Sequence, residues 1–256
     1  MSEPDPRKRF SKTADHYHRH RPSYPRELLD WILETAAVSH GAPAADVGCG
    51  TGIVTRLLAE RGLEAIGIDP SDEMLAVARS QGGPPYLQGE AAATGLADGS
   101  MELVTVGQAF HWFDVPKALA ELRRILTGHG CCAVFWNVRH LTPGFMQDYD
   151  VLLRERSSEC EVLDKPASAI AALEAAAGVV DRHEAEFANL QRFDREGLLG
   201  RARSSSYVIH GVADLPAFDR ELGGLFERHE RDGVVEFQYR TLALCFRVAG
   251  AREDRP

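Results

Sequence analysis

The chain has 256 residues, 44% of them hydrophobic, and a formal net charge of −9 from 29 basic and 38 acidic side chains. That length and apolar content suffice for a substantial core, while an acidic balance without a lysine- or arginine-rich block disfavours nucleic acid as a partner. Residues 1–9 lack the apolar stretch of a secretion signal and no apolar run approaches ~18 residues, so a cytoplasmic protein with a small-molecule substrate and no membrane partner is expected.

In chain order, Leu28, Leu29, Ile32, Leu33 and Ala36 recur at helical spacing and predict an amphipathic helix over 27–37. A buried strand over 44–48 and a helix over 52–61 follow, the helix closing on Gly62 as a left-handed cap. The second strand, 64–69, ends in Asp69. Ser71 caps the next helix, Asp72 and Glu73 favour its positive end, and Gly82-Gly83 stop it. Residues 85–89 form a short third strand, and 101–106 is apolar and β-branched, as a buried parallel strand requires. Asp114 caps a helix with Pro116 in its first turn, Gly128 and Gly130 end it, and 131–138 is the fifth strand.

Strands alternating with helices of this length demand right-handed crossovers and a parallel sheet covered on both faces. The second half breaks the rhythm. Residues 141–177 read as mainly helical, 183–193 as a strand, 194–205 and 214–231 as helices, and 234–248 as a long strand. No repeat, low-complexity tract or long linker divides the chain. Cys49, Cys131, Cys132, Cys160 and Cys245 form no Cys-x-x-Cys pair and read as reduced, mostly buried hydrophobes.

The run Ala44-Ala45-Asp46-Val47-Gly48-Cys49-Gly50-Thr51-Gly52, with Ile66-Gly67-Ile68-Asp69 after it, is a strand, a glycine turn, a helix and a strand tipped by a carboxylate. Glycine lets the backbone turn tightly and approach a ligand, and an acid at the next strand tip accepts ribose hydroxyls. The sixth position from Gly48 is Ile53, where a dinucleotide fingerprint has glycine, so one nucleoside without a pyrophosphate is the expected ligand.

This stretch resembles the first motif of class I S-adenosylmethionine-dependent methyltransferases. Over residues 10–140 the chain is similar to the small-molecule group that includes the ubiquinone/menaquinone-biosynthesis and trans-aconitate enzymes. The matching segments are Arg21-Pro22-Ser23-Tyr24-Pro25, the glycine turn, Gly89-Glu90-Ala91 and Gly107-Gln108-Ala109-Phe110-His111-Trp112-Phe113. The resemblance implies a Rossmann-like α/β fold with a seven-stranded, mostly parallel sheet, one antiparallel strand, helices on both faces and a helical insertion near the C-terminus. It further implies one domain over 1–256, with an N-terminal helical lid segment (1–40), a cofactor-binding core (41–140) and substrate-side helices with the final strands (141–256).

For S-adenosylmethionine the resemblance assigns Gly48, Gly50 and the Cys49 backbone to the methionine half, Asp46 to its amino group and Asp69 to the ribose. Glu90, Ala91, Met74 and Pro70 would surround the adenine, the Gln108 carbonyl would face the ammonium, and Tyr17 and Arg21 would belong to the lid, with Arg21 at the carboxylate. His111 is the candidate base; Trp112, Tyr24, Arg203 and Tyr207 are candidates for the substrate side, in reach of a carboxylate or hydroxyl acceptor. His16, His18 and His20 alternate, but arginines stand among them and no metal is assigned. Pro84-Pro85-Tyr86 precedes the third strand rather than following the fourth, which argues against methylation of a nucleobase. A module that binds the cofactor or S-adenosylhomocysteine without transfer is the alternative, a nicotinamide oxidoreductase a third, and monomer and homodimer both stay open.

Overall fold

The computed structural model describes residues 22–159, 161 and 165–250. Helix α1 (Arg26–Ala36) leads into β1 (Pro43–Val47), α2 (Ile53–Glu60), β2 (Glu64–Asp69), α3 (Asp72–Ser80), β3 (Tyr86–Gln88) and β4 (Met101–Gly107). A 3-10 turn (Phe110–Trp112), α4 (Val115–Ile125) and β5 (Leu126–Arg139) complete the regular half. Then come α5 (Phe145–Arg156), α6 (Lys165–Ala175), β6 (Val179–Phe193), α7 (Arg195–Arg203), α8 (Ser206–Ile209), α9 (Leu215–His229) and β7 (Val235–Val248).

The sheet order is β3-β2-β1-β4-β5-β7-β6. Neighbours from β3 to β5 pair in parallel, whereas β7 runs antiparallel to both β5 and β6. Six strands therefore share one direction and β7 alone opposes them, the Rossmann-like arrangement expected.

Alternation along the central strands explains why they read as continuous apolar runs. Ala45, Val47, Val104, Val106, Cys132, Val134 and Trp136 pack on one face with Leu119 and Leu122 of α4 and Leu173 of α6. Ala44, Leu103, Cys131, Ala133 and Phe135 point to the other face, against Leu28 and Ile32 of α1 and Leu58 of α2. No helix among the described residues is long and apolar enough to cross a membrane.

Local signals explain the helix ends. Ser71 Oγ accepts the Met74 N–H and Asp114 Oδ1 accepts the Lys117 N–H, each at 3.3 Å. The expected glycine stop at 128–130 differs: α4 ends at Ile125, Leu126 is already extended, and β5 begins there. Met101 pairs with Leu126 but Leu103 with Cys131, so β5 carries extra residues through a bulge. A Cβ on Gly130 would sit 2.8 Å from Leu126 Cδ2 and 3.1 Å from the Met101 carbonyl, so this glycine permits the bulge rather than ending the helix.

β5, β6 and β7 have 14, 15 and 14 residues against 5 in β1. Beyond the short strands their far ends carry a separate apolar cluster, built from α5, α7 and α9 around Phe237 and Tyr239. That cluster forms a cap beside the carboxyl ends of the strands, where open α/β sheets bind ligands.

Candidate functional site

The glycine turn and the tip of β2 lock one another. The Gly48 and Cys49 amides both donate to the Ile68 carbonyl, at 2.8 and 3.0 Å. Gly50 N–H donates to Asp69 Oδ2 at 2.8 Å and Ser71 N–H to Asp69 Oδ1 at 2.9 Å. Burial pushes the Asp69 carboxyl up from its ordinary value, and these two amides pull the other way. Gly48 has φ +74°, and a Cβ there would stand 2.6 Å from Ala109 Cβ in the loop after β4. At Gly50 a Cβ would meet nothing within 4 Å, because this part of the turn faces open space.

That space is a cleft of about 590 Å³. Of the residues singled out from sequence, Gly48, Gly50, Asp69, Pro70, Met74, Glu90, Ala91, Gln108, His111, Trp112 and Tyr207 line it. A recess of about 50 Å³ adjoins it and shares Gly48, Gly50 and Gln108; Asp46, Cys49 and Tyr24 line this recess. Cys49 packs its side chain with Leu75, Ala78 and Tyr86, so its contribution to the site is backbone. Tyr24 meets Phe135 edge-on, 4.8 Å between ring centres. Tyr17, Arg21 and the alternating histidines lie outside the described residues.

Asp46 is fully buried beneath the turn. Thr55 Oγ1 donates to Oδ2 at 2.7 Å and Thr105 Oγ1 to Oδ1 at 3.3 Å. Burial outweighs these bonds and pushes the carboxyl up to about 7.

The loop after β4 is held from β5. Gln108, left-handed at φ +59°, donates its N–H to the Phe135 carbonyl and its Nε2 to the Asn137 carbonyl. Trp136 Nε1 donates to His111 Nδ1 at 3.2 Å. An indole N–H only donates, so Nδ1 is the acceptor and the neutral imidazole keeps its proton on Nε2. In that tautomer His111 gives a hydrogen bond rather than takes a proton, which does not suit the role of base expected for it. Lys165 Nζ sits 4.1 Å from the centre of the Trp112 ring.

Arg203 is not on the cleft; it pairs with Asp219 of α9. Two residues make about 200° around a helix, so Arg201 of the same helix takes the inward face and lines the cleft instead. Arg139, Asp150, Arg154, Asn137 and Tyr239 also line it and were not singled out from sequence. Asn137 and Arg139 stand at the carboxyl end of an otherwise apolar strand, the position where a polar residue points to a ligand, and that signal was available.

The profile of the methyltransferase domain family matches residues 45–134, from β1 to the middle of β5. An uncharacterised methyltransferase of Mycobacterium tuberculosis (strain ATCC 25618 / H37Rv) is 32% identical over 210 residues, 80% of each chain. One from Schizosaccharomyces pombe is 31% identical over 163 residues, 62% of this chain and 64% of that one. A solved structure from Anaeromyxobacter dehalogenans, described as a type II methyltransferase, is similar in fold with a TM-score of 0.64 at 24% identity, covering 91% of this chain and 99% of that one.

Proposed function

The chain belongs to the class I S-adenosylmethionine-dependent methyltransferases, and on that premise we propose that it methylates a carboxylate or hydroxyl of a small molecule held at the cap end of the cleft. The cofactor supplies an electrophilic methyl carbon on a sulfonium, and transfer is an in-line displacement. The protein's own part is to hold, align and exclude water, which lowers a barrier by ~7–11 kcal/mol when the geometry is right.

Each oxygen of Asp69 accepts one backbone amide and keeps lone-pair capacity for the ribose hydroxyls. Pro70, Met74 and Ala91 offer apolar surface for the adenine, with Glu90 beside them. Asp46 and the Gln108 carbonyl border the recess suited to the ammonium, while Gly50 leaves room for the methionine chain and Gly48 lets the turn pack against Ala109 beside it. Trp112 and Phe113 screen the reacting atoms from water, and His111 Nε2–H orients the acceptor as a donor.

The observation that carries this reading is the Asp69 carboxylate, clamped by the glycine turn yet lining the cleft. It is tested by calorimetric titration with S-adenosylhomocysteine, followed by incubation with methyl-labelled S-adenosylmethionine and fractionated metabolites. We expect saturable binding and a product heavier by one methyl group. Binding with no product in any fraction would favour a cofactor-binding module, and absence of binding would remove the reading altogether.

A further inference from the structure

The cap end of the cleft buries a cation that no carboxylate among the described residues neutralises. Arg201 of α7 is 4% exposed, and its partners among the described residues are hydroxyls and ring faces. Nε donates to Tyr239 Oη at 2.9 Å, and Nη1 to Ser205 Oγ at 2.7 Å and Ser204 Oγ at 3.5 Å. The guanidinium lies 5.3 Å from the centre of the Phe237 ring. Arginine does not shed its proton, so the charge stays, and a buried charge is stable only when something compensates it.

A second guanidinium stands beside it. Arg139 of β5 is in register with Tyr239 of β7, the residue that holds Arg201. Arg139 Nη2 donates to Asp150 Oδ1 at 2.7 Å, while its Nη1 is buried without a partner among the described residues. Asp150 accepts from Arg154 Nε through its other oxygen at 2.7 Å, and among the described residues neither a hydrogen bond nor an ion pair links it to Arg201. The Arg139 guanidinium lies over the Tyr149 ring, whose hydroxyl is likewise buried and unpartnered among the described residues. A cation without an ion-pair partner and an orphaned guanidinium nitrogen among the described residues, both on side chains that line the cleft, describe the complement of one small oxyanion.

The geometry points to a carboxylate-binding subsite formed by Arg139 and Arg201, which anchors the acceptor by a group other than the one methylated. Calling the bound molecule the acceptor rests on the methyltransferase reading; the subsite itself does not. Its place along the sheet separates anchor from chemistry. Gly107, on the cofactor part of the cleft, pairs with Phe135. Arg139 lies four residues further along β5, about 13 Å at the rise of a strand. A carboxylate held between guanidinium forks is also a poor nucleophile, since its lone pairs are engaged. The substrate class is therefore a bifunctional acid: a carboxylate at one end, the methyl-accepting atom at the other. With Arg154 half exposed to solvent, Asp150 offsets Arg139 and leaves the one buried charge of Arg201, which favours carboxylate over phosphate.

The full chain, with and without saturating S-adenosylhomocysteine, is titrated with succinate and separately with inorganic phosphate, with ionic strength held constant by chloride. We expect saturable succinate binding, weakened about tenfold or more in Arg201→Lys and in Arg139→Lys, with S-adenosylhomocysteine affinity changed less than about twofold. Tyr239→Phe keeps both charges and the ring but drops the hydroxyl that aims Arg201. It is expected to weaken succinate about threefold, and it carries the test if an arginine variant does not fold. A structural tie between α7 and β7 would lower thermal stability in these variants and leave succinate affinity unmoved. That outcome, or no response beyond chloride, overturns the subsite; a response to phosphate alone overturns the carboxylate assignment. Succinate binding without S-adenosylhomocysteine binding would keep the subsite and remove the proposed function.

Discussion

The two ends of the cleft are built by opposite means. At the glycine-turn end β1 and β2 are 5 and 6 residues long, and the site is made largely of backbone: a positive-φ turn, amides and one clamped carboxylate. At the cap end β5 and β7 run to 14 residues, and side chains from α5 and α7 converge on their far halves. A backbone site demands particular residues at fixed spacing, because only glycine tolerates the turn. A side-chain site asks only that the right charges meet in space, so the same recognition can be assembled from many sequences.

Substitutions at the two ends should therefore fail differently. The largest effect is expected at Gly48, where alanine adds a positive-φ penalty of ~1–2 kcal/mol and a clash with Ala109. Gly48→Ala should lose about 3 kcal/mol in urea unfolding together with cofactor affinity; a stable variant that still binds would break the backbone account. Asp69→Ala removes a charged acceptor for two amides and should weaken S-adenosylhomocysteine about a hundredfold by calorimetry while sparing succinate binding. Loss of both affinities would show that the ends are not independent.

Asp46 gives a pH signature. With its carboxyl at about 7 in the folded protein against an ordinary 3.8, the native state binds the extra proton through that window. Stability contributed there falls as pH rises, since the unfolded chain then holds fewer protons than the native one. A cationic amino group in the recess favours the ionised form, so cofactor affinity should run the other way and strengthen as pH rises through about 7. Asp46→Asn should flatten both trends, in urea melts and calorimetry between about pH 5 and pH 8. A persisting slope would place the proton elsewhere. The smallest effect is expected at Arg203, which pairs at the surface with Asp219: Arg203→Ala should change stability by ~0.5 kcal/mol or less and leave succinate affinity alone.

This asymmetry also sets how much the sequence disclosed. The central strands, the caps at Ser71 and Asp114 and the Gly48–Gly52 turn were legible because each follows from local sterics or period. The start of β5 was not: Gly128 and Gly130 look like helix stops, yet the bulge against Met101 needs a residue without a side chain just there. At the cap the arginines of α7 were visible, but which of them faces inward depends on the rotation of a helix whose partners lie far away in sequence. Arg139 gained its meaning only once Tyr239, 100 residues later, was seen beside it. His111 was visible too, but the Trp136 N–H that decides its tautomer came from a strand whose face the sequence did not reveal.

The placement of β7 has a consequence for assembly. It is the last strand of the sheet in sequence yet lies inside it, and it is the partner through which β6 joins. Until residues 235–248 insert, β5 presents an open edge and Arg201 has no Tyr239 to hold it. Such long-range pairing is slow, so refolding should form the first five strands early and gain the cap late. During that interval the chain would own the glycine-turn half of the cleft before it owned the cap half.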